Sequence, residues 1–337
     1  MERLPLNVAT IAAIQYHDHP DGHLEPTLPA DTIIDANVSV GRVVGVKALI
    51  LLLLAVCVGR GEAMAQEPLF RFGAIADCQY CNATSTTRKY SLSAQKLASC
   101  VQHFNKLDLA FVVHLGDFID RDFQNFSKVI PIYNRLKAPH YHVLGNHDFS
   151  VADDEKERVP AKLGMKSRYY DLSHKGWRFI VLDGNDISLH AYSKNDPRTA
   201  AAKAFHRKLK AGTPAWNGAI GSQQMQWIKR KLKESSKNKE RVILFCHFPV
   251  YPENSHNLWN AAALNKLLAG YSCVVAYING HNHAGNYGLK DHVHYITLKG
   301  MVDTTENAYS IFEVYEDVLQ LKGEGRQGDR RFTIQSP

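Results

Sequence analysis

Apolar runs are scarce in this sequence of 337 residues. The longest, Ala48 to Val58 (ALILLLLAVCV), has 11 residues, well short of the about 20 that a helix needs to span a bilayer, so no transmembrane helix is expected in the processed chain. Cysteine is scarce too. Six in a chain this long exclude a disulfide scaffold, and Cys78-x-x-Cys81 has no second pair to make a zinc ribbon. The charge is only mildly unbalanced, with 40 basic against 33 acidic residues for a net +7. The one dense basic segment, Trp227 to Arg241 (WIKRKLKESSKNKER), has no aromatics interleaved to stack on bases. Ile228 and Leu232 give it one apolar helical face, so its lysines are expected in solvent and no stable nucleic-acid complex is expected. No repeat and no proline- or serine-rich linker divides residues 67–333, which argues for one domain there. With 45% hydrophobic residues the chain can bury a full core, and disorder is excluded.

The 11-residue run has the length of a signal-peptide core. Lys47 precedes it, and Ala63-Met64-Ala65 follows with the small-x-small pattern of a cleavage site. Residues 1–65 are therefore expected to be a removable leader, cleaved after Ala65, with residues 66–337 exported to the periplasm or secreted as one domain. Residues 1–45 carry six acids, two arginines and three histidines, unlike a short basic export segment, and form a pre-segment ahead of the signal.

From Glu67 onward, short β-branched or apolar runs alternate with amphipathic stretches, the pattern of layered α/β packing. Strands are expected at 70–76, 109–115, 141–144, 178–182, 242–246, 274–278, 294–298, 309–314 and 318–321. Helices are expected at 91–105, 126–136, 200–209, 222–233 and 261–268. The last three strands follow one another without a helix, which predicts a closing antiparallel portion. Cys246 and Cys273 fall in or beside core strands; Cys78, Cys81 and Cys100 are candidates for one disulfide. His140 and His142 read as structural or surface residues.

Chemistry-bearing residues stand where the predicted strands end: Asp77-Cys78-Gln79, Gly116-Asp117-Phe118-Ile119-Asp120, Gly145-Asn146-His147-Asp148, His247, and Gly280-His281-Asn282-His283. Loops at strand ends form the crevice in which open α/β sheets place their sites. Taken singly, each has an ordinary explanation as a turn residue or a satisfied histidine. Together, Asp77, Gln79, Asp117, Asn146, His247, His281 and His283 are oxygen and imidazole donors with no thiolate, a set suited to Mn²⁺, Fe or Zn²⁺ rather than to structural zinc. Seven donors exceed the need of one ion and fit a pair about 3.5–4 Å apart, as used for displacement at phosphorus.

The ordered series of motifs resembles the calcineurin-like metallophosphoesterases over essentially all of residues 67–333. Gln79, in the context Ile75-Ala76-Asp77-Cys78-Gln79-Tyr80, stands where most members have histidine. It is similar to the manganese-dependent ADP-ribose/CDP-alcohol diphosphatase branch, as are Asn217 to Gly221, His247 to Pro252 and Leu321 to Arg326. The resemblance implies an α/β fold, a two-sheet β-sandwich flanked by helices. It implies one ion held by Asp77, Gln79, Asp117 and His283 and a second by Asp117, Asn146, His247 and His281, with Asp117 as the bridge. His147 would assist the leaving group. An amide oxygen in place of imidazole hardens the first site and tilts it toward Mn²⁺.

Metal ligands of this kind leave substrate choice to their surroundings. Tyr80, Tyr251 and Trp259 are candidates to stack on a base, and Arg88 to neutralise a second phosphate. The resemblance implies hydrolysis of a phosphoanhydride in a small nucleotide-type substrate such as ADP-ribose or a CDP-alcohol. Phosphodiester or phosphomonoester hydrolysis would use the same ligands, and a non-catalytic metal- or anion-binding protein is the remaining class. Nothing in the sequence addresses the oligomeric state.

Overall fold

A computed structural model of the chain describes residues 66–335 and two short segments, 16–18 and 24–26. The chain divides into two compact units, Met1–Ala65 and Gln66–Pro337. In the first, Tyr16–Asp18 pairs antiparallel with Leu24–Pro26; the expected signal core and cleavage site lie outside the described residues.

The second unit holds two six-stranded sheets. One is built from β1 (Phe70–Ile75), β2 (Phe111–His114), β3 (His140–His142), β10 (Ala308–Val314), β11 (Val318–Gly325) and β12 (Arg330–Thr333), in the order β12-β11-β10-β1-β2-β3. The other contains β4 (Tyr170–His174), β5 (Trp177–Val181), β6 (Arg241–Phe245), β7 (Val274–Asn279), β8 (Asn286–Lys290) and β9 (Val293–Thr297), in the order β8-β9-β7-β6-β5-β4. The central strands β1-β2-β3 and β5-β6-β7-β9 are parallel, so their C-terminal ends point to one rim of each sheet.

The period-2 alternation of each strand explains the layers. Phe72 and Ala74 of β1, Phe111 and Val113 of β2, and Ile243 and Phe245 of β6 point into a core shared by both sheets. Phe72 stacks on Phe111 and Phe312 at 5.0 and 4.8 Å, and Phe111 meets Phe179 edge-on at 4.7 Å. Such aromatic pairs add to the area they bury. Alternate residues face outward: Ile75 and Val112 pack under helices α1 (Ser93–Phe104) and α2 (Phe126–Tyr133), while Val242 and Leu244 pack under α4 (Ser222–Asn238) and α5 (Ala261–Ala269). A further helix, α3 (Pro197–His206), starts at Asp196, whose carboxylate accepts the Arg198 N–H. At Gly73 a Cβ would stand 2.8 Å from the Phe104 ring, so glycine is what lets α1 lie this close. This is the expected two-sheet sandwich with helices on both outer faces.

The closing antiparallel portion differs from expectation. β10, β11 and β12 are antiparallel neighbours, but β9 runs parallel to β7 in the other sheet. Consecutive strands pair often but not always, and here the chain crosses between sheets at 298–307. The strands β4, β8 and β12 were not expected. All three are sheet edges, only partly buried, and so lack the apolar runs that mark the central strands. Among the described residues the five cysteines are all buried free thiols, which removes the expected candidates for a disulfide, and no helix is long and apolar enough to cross a membrane.

Candidate metal centre

The strand ends of both sheets converge, and all seven expected donors meet there. Gln79 Nε2 donates to Asp117 Oδ2 at 2.9 Å and lies 3.2 Å from His283 Nε2. His247 Nε2 is 3.1 Å from Asn146 Oδ1, 3.1 Å from His281 Nδ1 and 3.3 Å from Asp117 Oδ2. His283 Nε2 is 3.5 Å from Asp77 Oδ1. Donor atoms of Asp117, His247 and His281 all fall within 4.8 Å of one another. Asp117 touches members of both expected ligand sets, as a bridge must.

The backbone is bent to achieve this. Four of the donors, Asp77, Gln79, Asp117 and His281, have left-handed φ of 54°, 45°, 56° and 66°, each costing a non-glycine residue of the order of 1 kcal/mol. Neighbouring loops hold them there. Gln79 N–H donates to Asp117 O, Val302 N–H donates to Asp77 O, and the Asp77 carboxylate accepts His281 N–H at 3.1 Å. Asp148, fully buried, accepts four backbone N–H groups, from Gly145, Asp117, Phe118 and Ile119, and so locks the two loops that carry Asp117 and Asn146. Gly145 permits their contact, since a Cβ there would lie 2.1 Å from Asp117 Oδ1.

The hydrogen bonds on the outer side of each imidazole fix which nitrogen faces inward. His247 Nδ1 donates to Leu115 O, His281 Nε2 to Asn217 Oδ1 and His283 Nδ1 to Asp303 Oδ1, at 2.9, 2.9 and 3.0 Å. Each ring therefore directs a lone pair toward the centre, the arrangement that orients histidine ligands to metals. Around His247 Nε2 this gathers three further acceptors, Asn146 Oδ1, His281 Nδ1 and Asp117 Oδ2, which repel one another unless a cation lies among them. Asp77 and Asp117 are wholly buried, and among the described residues no lysine or arginine pairs with either. Buried carboxylates demand a counter-charge. In metal-free protein the rings take protons in a cation's stead: burial works against the charge of His247 and His283, yet Asp117 and Asp77 respectively outweigh it and push these rings up to about 9 and about 10. Gln79 turns its Nε2 toward Asp117 and His283 and leaves Oε1 buried with no partner among the described residues, so a flip of the amide would remove the orphan and put the oxygen among the donors. The residues fit a pair of divalent cations.

His147 stands at the margin of the set. Its N–H donates to Asp117 Oδ1 at 2.7 Å, its Nδ1 donates to Asp120 Oδ1 at 2.8 Å, and Arg88 Nη1 approaches its Nε2 at 3.4 Å. Burial opposes its charge, but Asp117 and the bond to Asp120 prevail and hold it above the usual imidazole range. Of the other candidates, Arg88 thus reaches the site, while Tyr251 and Trp259 line a cavity of about 880 Å³ whose wall includes Asn217, the partner of His281. Tyr80 is not brought to either: its hydroxyl donates to Asn82 and its ring packs with the cluster beneath α1 and α2. Asp303 and Asn217 were not singled out in the sequence as orienting residues. Asp303 follows the end of β9, so the strand-end rule that found the others could have found it; Asn217 carries no such signal.

A family model of the calcineurin-like phosphoesterases matches residues 70–285. The chain belongs to that family. Its members' chemistry makes it a metal-dependent phosphoester or phosphoanhydride hydrolase using two divalent ions. It is 29% identical over 307 residues, covering 80% of this chain and 98% of the relative, to a protein of Arabidopsis thaliana named manganese-dependent ADP-ribose/CDP-alcohol diphosphatase. A Homo sapiens relative of the same name is 28% identical over 79% of this chain and 93% of its own. Among solved structures, a dimetal phosphatase from Danio rerio superposes with a TM-score of 0.73 and 26% identity, covering 80% of this chain and all of that one. In this phosphoesterase side-chain contacts link Asp77, Gln79 and His283 to one another and Asn146, His247 and His281 to one another, with Asp117 touching both groups, which are the two sets that the resemblance allots to separate ions.

Proposed function

We propose that this phosphoesterase hydrolyses the phosphoanhydride of a nucleoside diphosphate derivative such as ADP-ribose or a CDP-alcohol, with Mn²⁺ in the centre. The observation that carries the reading is the near full-length similarity to relatives that bear that activity as their name, over a centre in which Gln79 supplies a hard amide donor. Bound divalent ions supply Lewis acidity at the phosphoryl group and lower the pKa of water toward about 7. The rest falls to the chain's own side chains. His147 Nε2 can hold or deliver a proton at the leaving-group oxygen, because Asp120 fixes its other nitrogen. The Arg88 guanidinium beside it offers charge to the second phosphate. The cavity bounded by Tyr251 and Trp259 accommodates the nucleoside or alcohol portion.

Turnover of ADP-ribose, CDP-choline, a cyclic nucleotide, single-stranded DNA and p-nitrophenyl phosphate, each with Mn²⁺, tests this reading. Release of a nucleoside monophosphate and a phosphate ester from the first two, at the highest kcat/KM, is expected. Preference for the cyclic nucleotide or the monoester would reassign the substrate within the family, and no turnover of any would point to a binding protein.

The chain is also proposed to be exported, with residues 1–65 removed. The 11-residue apolar run and Ala63-Met64-Ala65 support this; an N-terminus other than Gln66 on the native protein would count against it.

A further inference from the structure

Lys96, in the first turn of α1, is buried, and its ammonium reaches across to the loop that follows β9. Nζ lies within hydrogen-bond reach of the carbonyl of Met301 and of those of Asp303, Thr304 and Glu306 at 3.2, 3.1 and 3.2 Å, four acceptors that share its three N–H groups. Asn307 Nδ2 returns a bond to Lys96 O at 2.9 Å. Four carbonyl dipoles aimed at one buried point repel one another unless a cation sits among them. Thr304, at φ 56°, is turned left-handed where the loop folds back.

This loop acts on one half of the metal centre. Met301 N–H donates to Ala76 O and Val302 N–H to Asp77 O, both at 2.9 Å, Gly300 N–H donates to His283 O at 3.1 Å, and the Asp303 carboxylate accepts His283 Nδ1–H at 3.0 Å. Its bonds thus pin two ligands of the first ion. Among the described hydrogen bonds, none runs from residues 300–307 to Asn146, His247 or His281.

We propose that Lys96 is a positioning residue that acts as a tethered cation, holding the loop 300–307 in the form that presents Asp77 and His283 and thereby setting the affinity of the first ion and not the second. The proposal rests on the assignment of Asp77 and His283 to one ion, and a Gln79→Ala reference checks that assignment separately.

The test is a stepwise Mn²⁺ titration of the whole chain followed by electron paramagnetic resonance and calorimetry, comparing wild type, Gln79→Ala, Asp303→Asn and Lys96→Ala. Lys96→Ala should weaken by about 10- to 100-fold the same binding step that Gln79→Ala and Asp303→Asn weaken, a size typical of lost support to a ligand, and leave the other step unchanged. Ammonium chloride should restore that step in Lys96→Ala by refilling the carbonyl cage, whereas sodium chloride at equal ionic strength should not, and neither salt should help Asp303→Asn. Should Lys96→Ala not fold, Lys96→Gln keeps two N–H donors for the same carbonyls and should show the same one-step weakening in milder form. Equal weakening of both steps, no weakening of either, or restoration by sodium as well as by ammonium would overturn the proposal.

Discussion

The Nδ1 of His147 lies 2.8 Å from Oδ1 of Asp120, which leaves Nε2 as the ring nitrogen that can serve a substrate. His147→Gln should lower kcat by about 10² to 10⁴, the usual worth of a positioned proton donor, while the bound Mn²⁺ per chain stays at its wild-type value. Asp120→Asn should cost less, since the imidazole remains and only its tautomer and orientation loosen. Parallel kcat and metal analysis checks both. Loss of metal in His147→Gln would place that residue in the coordination sphere instead.

Asp148 accepts N–H groups from the two loops that carry Asp117 and Asn146. Asp148→Ala strands these buried donors, each worth about 1–3 kcal/mol when left unsatisfied, so metal-free protein should lose about 3 kcal/mol or more. Urea denaturation in EDTA measures this. A loss within about 0.5 kcal/mol, typical of a surface change, would mean that the loops hold themselves.

Gln79→His exchanges a hard oxygen donor for a borderline nitrogen. The variant should move from Mn²⁺ toward Zn²⁺ in its metal-dependent activity and in competitive binding. An unchanged order of metals would show that Gln79 does not select the ion.

Much of this was legible because each ligand ends a strand whose apolar alternation is plain: Phe72 and Ala74 lead to Asp77, Val113 leads to Asp117, Phe245 leads to His247. Periodicity places the strands and strand ends place the donors. What stayed hidden depends on tertiary contact. Lys96 in Ser-Ala-Gln-Lys-Leu reads as a solvated helix lysine, and only the fold brings four carbonyls to it. The edge strands β4 and β8 are reached by hairpin turns whose central pairs, Lys175-Gly176 and Asp291-His292, have positive φ; the second lacks the glycine that usually announces such a turn. The parallel placement of β9 beside β7 follows from a crossover between sheets that neighbouring strands in sequence do not disclose.

His114 and His142 are buried side by side at 6.0 Å, packed on Phe118 and Tyr133, and among the described residues both ring nitrogens of His114 lack partners. Burial, then its neighbour His140, pushes His142 down to about 3; burial, then His142, holds His114 well below the usual imidazole range. In the unfolded chain both titrate near about 6.5, so the unfolded state takes up protons that the folded state refuses. Their stabilising contribution is complete above that pH and is lost as pH falls below it, for His142 at about 1.4 kcal/mol per pH unit from about 6.5 toward about 3. Metal-free protein at pH 5 should therefore be about 2 kcal/mol less stable than at neutral pH from His142, with His114 adding in the same direction. His142→Phe should lower the slope, and an equal slope in that variant would assign the acid sensitivity elsewhere.

Seven side chains are expected to hold two ions through one shared carboxylate, Asp117. Mn²⁺ binding to wild type and Asp117→Asn, read by calorimetry and electron paramagnetic resonance, tests it most directly. Two ions per wild-type chain with the resonance of a spin-coupled pair are expected, and weakened binding at both steps with no coupled signal in Asp117→Asn. A single ion in the wild type, or one step left intact in the variant, would contradict it.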